Sequence, residues 1–178
     1  VGHYDAYIKK KKIKDKFLFN LIQPLKPKAK VEIYRKDANI LASNIKADVV
    51  YIDPPYNSRQ YSRFYHLLEN LAQWNKPKLH GTALKPDPEN ISNYCKTSAP
   101  DSLTDLISKL KCKMIVLSYN NTYKSKSSSS KNKITLDQIK NILNKKGKTK
   151  VLKKKHLHFN AGKTNFNDHH EYLFITKT

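Results

Sequence analysis

Four consecutive residues, Asp53, Pro54, Pro55 and Tyr56, set a carboxylate, two rigid rings and an aromatic face directly behind the strand-forming run Val49 to Ile52. That combination suits the exocyclic amino group of a nucleic-acid base. Such an amine is a poor nucleophile, because its lone pair is delocalised into the ring. A carboxylate oxygen and a main-chain carbonyl can each accept one of its N–H bonds, which localises the lone pair toward an electrophile. Proline fixes φ, so the carbonyl direction is set before any substrate arrives. The Tyr56 ring can stack on a base lifted out of its duplex. A strand-ending turn is the plainer alternative, since proline and tyrosine are ordinary turn neighbours.

A strand must present this cluster, and Pro54, which cannot donate to a ladder, must end it at Asp53. "VEIYR" (31–35) predicts a strand before it, leading to Asp37 and a helix in "ANILASNI". "KMIVLSYNN" predicts a third, buried strand that ends on Ser118, Tyr119, Asn120 and Asn121. Strands alternating with helices imply an α/β fold with a mostly parallel sheet. Ligands of such sheets bind at the carboxyl ends of the strands. Asp37, Asp53–Tyr56 and Ser118–Asn121 therefore converge on one rim. Asp37 also reads as a helix N-cap, and Ser118–Asn121 as a polar turn that satisfies its own backbone.

Around this rim the chain reads as a single domain over residues 1–178. A helical segment occupies 1–30, with Ile13, Phe17 and Leu21 four apart and Pro24 and Pro27 as stops. The α/β part occupies 31–178. A helix from Tyr61 to Trp74 puts Phe64, Leu67, Leu68 and Leu71 on one core-facing side, with Tyr65 and Trp74 as further core residues. Residues 76–100, with Pro77, Pro86, Pro88 and Pro100, predict a long structured loop. Asp101 caps a helix in "DSLTDLISKL", and Thr135 caps another in "LDQIKNILNKKG" that stops at Gly147. "KSKSSSSKNK" reads as a flexible basic loop. "TKVLKKKHLHF" and "HHEYLFITKT" predict a closing antiparallel ribbon.

Charge narrows the partners. Lys and Arg total 35 against 14 Asp and Glu in 178 residues, a formal charge of +21. Nucleic acid is the first polyanion to consider and an anionic membrane the second. No apolar stretch approaches the roughly 18–20 residues of a spanning helix, and no signal peptide is visible. Cys95 and Cys112 have neither disulfide nor zinc spacing, which suits a reducing cytoplasm. Codon bias alone can also produce a lysine-rich chain. His156, His158, His169 and His170 alternate with apolar residues as solvent-facing strand residues do, and no metal is assigned. The four glycines, Gly2, Gly81, Gly147 and Gly162, are scattered, so no glycine loop can cradle a nucleotide. The chain opens on Val1, and Met114 is its one methionine, which predicts a fragment, a processed chain or a non-standard start.

"DVVYIDPPYNSRQY" resembles the signature of adenine-specific (N6) DNA methyltransferases of the D12 class, related to the Dam methylases. "HYDAYIKKKK", "VEIYRKDANIL", "YHLLENLAQW", "IVLSYNN" and "HHEYLFIT" extend the resemblance over most of the chain. It implies a Rossmann-like fold and methyl transfer from S-adenosylmethionine to adenine in DNA, as in restriction–modification systems. Asp53 and the Pro54 carbonyl would bind the adenine amino group, Pro55 would shape the loop and Tyr56 would stack on the base. Asp37 and the Ala38 backbone would hold the cofactor's adenine. Asn57, Arg59, Ser118 and Asn120 would line the substrate side. The family's glycine loop for the methionine half of the cofactor, and the first two strands, are missing here. The fold is then incomplete, the C-terminal part of a methyltransferase, with a separate N-terminal polypeptide as a second partner beside DNA. A catalytically silent nucleic-acid-binding remnant and an RNA adenine methyltransferase stay open as alternatives.

Overall fold

The computed structural model describes residues 20, 22–23, 28–81, 84–122, 128–156 and 168–178; Ile13, Phe17 and Leu21 of the expected N-terminal helical segment, its stops Pro24 and Pro27, and His158 lie outside them. Four strands form one sheet: β1 (Lys46–Ile52), β2 (Lys111–Asn120), β3 (Lys148–Lys155) and β4 (His170–Lys177). Their order is β1-β2-β4-β3. β1 and β2 pair in parallel, whereas β4 runs antiparallel to both β2 and β3. The sheet is therefore mixed rather than mostly parallel, because the C-terminal ribbon supplies two of its three ladders. β4 is inserted between β2 and β3, so β1, β2 and β3 all point the same way.

The period-two pattern of β2 decides which face is covered. Ile115, Leu117 and Tyr119 are fully buried. Val50 and Ile52 lie beside them on β1, and Thr176 and Phe174 on β4. This face packs on Leu103, Leu106 and Ile107 of α4 (Ala99–Lys109) and on Ile139, Ile142 and Leu143 of α5 (Leu136–Asn144). Each such side chain contributes about 1.5–3 kcal/mol on burial. The opposite face carries Val49, Tyr51 and Leu152, which are exposed at 56%, 61% and 43%.

α5 starts where the sequence places it. Thr135 and Gln138 form a capping box, each side chain bonding the other's backbone N–H. α4 starts two residues before the expected Asp101, with Ser98 as its N-cap residue and Pro100 in the first turn, where a missing N–H costs nothing. The expected helix from Tyr61 to Trp74 is two helices, α2 (Tyr61–Phe64) and α3 (His66–Gln73), broken at Tyr65. Ser62 donates to the Glu89 carbonyl and Gln60 accepts from Ser92 N, which ties α2 separately to the 76–100 loop. The buried residue of α3 is His66, while Leu68, Leu71 and Trp74 are exposed, because no described element lies over them. In the loop, Tyr94 and Cys95 of a 3-10 turn reach the core.

"VEIYR" is not a strand. An extended segment becomes one only when a neighbour shares its N–H and C=O groups. Residues 31–35 have no described partner, and Val31, Ile33 and Tyr34 stand exposed. Among the described residues no helix is long and apolar enough to cross a membrane, and no three His, Cys, Asp or Glu side chains cluster to hold a metal.

Candidate active site

β1 ends where the sequence requires, and Asp53 leaves its carboxyl end next to β2. The register Ile52 with Leu117 places Ser118 beside Asp53. Ser118 Oγ donates to Asp53 Oδ1 at 2.8 Å, and the Tyr56 hydroxyl donates to the same oxygen at 2.8 Å. Oδ2 has no partner among the described residues. One carboxylate oxygen is thus held by two donors, and the other is left to accept from a ligand.

The loop behind this carboxylate is held from inside. Tyr119, fully buried, donates its hydroxyl to the Tyr56 carbonyl at 3.1 Å and accepts from Ile134 N. Lys133 N donates to the same Tyr56 carbonyl at 2.8 Å. The two tyrosine rings meet edge to face, 4.8 Å between centroids. Burial pushes the Tyr119 phenol up to about 12. The Tyr56 phenol is also held above its ordinary range, first by burial and then by the Asp53 charge, against an opposing bond to Ser118. Both hydroxyls therefore stay protonated, and remain donors, through neutral pH.

Asp53 lines two cavities. The larger, about 1110 Å³, lies against Asp37, Ala38, Pro54, Pro55 and Tyr94. The smaller, about 440 Å³, lies against Tyr51, Tyr56, Ser118, Lys154 and Glu171. Asp37 caps α1 (Ala38–Ala42), its Oδ1 accepting from Asn39 N and Ile40 N. Its N-cap role and its place on the larger cavity coexist. Asn39, which no local sequence signal marks, joins α1 to α4 through Ser102 and Asp105 and accepts from the Tyr94 hydroxyl.

The remaining expected residues divide. Pro54 is buried behind the carboxylate and Pro55 is half-buried. Asn57 turns inward on its own loop to accept from Arg59 N. Arg59 donates to Ser130 Oγ at the surface. Asn120 is buried, gripped by Thr122 and Asn132, so it supports the end of β2 and does not reach the smaller cavity. Tyr119 went unassigned on its own because its neighbour across the fold is Ile134, a contact that local pattern does not reveal.

Residues 2–142 match the sequence model of a family described as D12 class N6 adenine-specific DNA methyltransferase. Over 90 residues the chain is 49% identical to the modification methylase StsI of Streptococcus sanguinis, covering 49% of this chain and 14% of that protein. It is 33% identical over 151 residues to the type II methyltransferase M.NlaIII of Neisseria lactamica, 81% of this chain and 42% of the relative. With M.CviAII of Paramecium bursaria Chlorella virus 1 the identity is 30% over 177 residues, 97% of this chain and 50% of the relative. The chain spans half or less of the length of these relatives. No solved structure matches it.

Proposed function

The chain belongs to the D12 class of N6 adenine-specific DNA methyltransferases, and we propose that it is the part of such an enzyme that holds the target adenine and the adenosine half of S-adenosylmethionine. The observation that carries the reading is Asp53. It stands between two cavities with one oxygen fixed by Tyr56 and Ser118 and the other open.

In this reading the adenine enters on the Tyr56 side. Asp53 Oδ2 accepts one N–H of its amino group and the Pro54 carbonyl accepts the other. The lone pair is then localised on nitrogen and directed toward the larger cavity. The Tyr56 ring, backed by Tyr119, offers the base a stacking surface. Methylation would form the N–C bond as the donor's S–C bond breaks, leaving that electron pair on sulfur; the amino nitrogen would then carry a surplus proton, and Asp53 is the adjacent group that would receive it. Fixing Oδ1 beforehand means that no reorganisation is needed when charge develops.

The residues fit the adenosine half of the cofactor. The larger cavity is of about the size that holds such ligands; Asp37 and Ala38 line it and would hold the adenine, and Pro54 and Pro55 line what would be the reacting end. When bound, S-adenosylmethionine supplies an electrophilic sulfonium methyl group. The methionine half would need a glycine loop, and the four scattered glycines of this sequence provide none. A second polypeptide segment that brings this loop would also cover β1's outer edge and the exposed Val31, Ile33, Val49 and Tyr51. An open edge beside exposed apolar side chains is the kind of surface that another chain covers.

The test is Asp53→Ala in the assembled, active enzyme. Methyl transfer to adenine should fall by at least about a thousandfold, the scale of losing a preorganised electrostatic group. DNA affinity should hold, because charge-driven binding rests on lysines. Turnover near the parent rate would sink the assignment. A parallel comparison of DNA with RNA as acceptor decides the substrate.

A further inference from the structure

β3 has five lysines in eight residues, Lys148, Lys150, Lys153, Lys154 and Lys155, and it is an edge strand. Lysines on an edge strand are an ordinary defence against edge-to-edge pairing. That explanation asks for one or two and is indifferent to where they sit along the strand. Here three are consecutive and at one end. Because β4 is antiparallel to both β2 and β3, β3 runs parallel to β1 and β2. Its carboxyl end therefore lies on the same rim as Asp53 and Ser118, and Lys153 and Lys154 line the smaller cavity with them. The acid opposite Lys154 in the ladder, Glu171, is engaged by His169 at 3.0 Å. The other acid at the start of β4, Asp168, is paired with His170.

We propose that Lys153, Lys154 and Lys155 form a phosphate-binding rim that holds the DNA backbone beside the nucleotide whose base enters the Asp53 cavity. The proposal rests on the methyltransferase reading for the identity of the polyanion and for the base that enters the cavity. Successive strand residues point to opposite faces, so Lys154 shares the cavity's face with Glu171, while Lys153, at the cavity's border, and Lys155 alternate to the opposite face. A backbone crossing the top of β3 meets positive charge on both sides. An extracted base leaves its own phosphates at the surface, so cations at the mouth of the cavity steady the flipped state without contacting the base.

Two triple variants of the full chain separate this rim from general charge. One is Lys153→Gln, Lys154→Gln, Lys155→Gln. The other removes the same charge from the opposite end of the sheet, with Lys111→Gln, Lys148→Gln and Lys177→Gln. Binding of a fluorescein-labelled DNA duplex is followed by anisotropy across a salt series, with thermal unfolding to check that both variants fold. Loss of phosphate contacts lowers the slope of log K against log salt by roughly 0.9 per contact. The rim variant should lose about 2–3 from this slope and at least about tenfold in affinity near 100 mM salt. The opposite-end variant should lose less than about 1, and a Lys→Arg triple at the rim should keep the parent slope. A parent slope in the rim variant, or equal losses in the two Gln variants, would overturn the proposal. Neither result bears on Asp53, which is tested by methyl transfer and not by binding.

Discussion

The site turns on how a single carboxylate is held. Ser118 and Tyr56 both donate to Asp53 Oδ1, so the plane of the carboxylate is set by one residue of its own loop and one from a strand far away in sequence. Ser118→Ala removes one of these donors without touching the acceptor oxygen. Misplacement of a reacting group on the ångström scale can cost about a hundredfold. In the assembled enzyme this variant should therefore lower kcat by about 10–100-fold and leave KM for DNA within about threefold of the parent. Ser118→Thr, which keeps the hydroxyl, should recover most of the loss. Unchanged kcat in Ser118→Ala would show that the bond is incidental. Asp53–Tyr56 stand out in the sequence as a candidate site because adjacent residues carry the proposed chemistry. The Ser118 bond does not, because it exists only through the parallel register that sets Ile52 against Leu117. Asn57 and Asn120 had suitable chemistry for a rim, but each is spent on its own backbone or neighbours.

Among the elements, those with strong local signals read correctly. Thr135 with Gln138 marked the start of α5, and Pro54 marked the end of β1. Elements that depend on partners did not. "VEIYR" has strand composition but no described strand to pair with, and Leu68 and Leu71 have helical spacing but no described element to cover them. Periodicity records which faces want burial, and only the fold determines whether something covers them. Gly147 shows a constraint hidden from both signals. A Cβ there would run into the Lys177 carbonyl and come close to the Thr178 backbone, where β4 ends against the turn after α5. Gly147→Ala should cost about 1–3 kcal/mol, the range for forcing atoms into packed space, read as a lower urea midpoint. Thr135→Ala should cost about 1 kcal/mol through loss of the cap. Wild-type stability in Gly147→Ala would mean that this turn yields easily.

At the scale of the described chain, the sheet has one face covered by helices and another that no described element covers, and the buried phenols make a stability prediction. Tyr56, Tyr94 and Tyr119 all have phenols raised by burial. A pKa raised in the folded state means that the unfolded chain gives up its protons first as pH rises. The stability contribution is intact below about pH 10, where phenols of the unfolded chain are protonated. It is lost as pH rises from there through the folded value of about 12 for Tyr119. The urea midpoint should hold steady from about pH 7 to 9 and fall above pH 10, less steeply in Tyr119→Phe after allowing for its lower starting stability. A midpoint unchanged at pH 11 would contradict the burial of these rings. On the proposed reading, this chain supplies the amino-accepting half of an N6-adenine methyltransferase and needs a glycine-loop segment to complete the cofactor site. The most direct test is incorporation of labelled methyl from S-adenosylmethionine into adenine of duplex DNA. It is run on the chain alone, on the chain mixed with a polypeptide carrying the upstream glycine loop, and on the same mixture containing Asp53→Ala. No incorporation is expected from the chain alone, incorporation on mixing, and its loss with Asp53→Ala; methylation by the 178-residue chain alone, or by the Asp53→Ala mixture, would overturn the proposed division of the site.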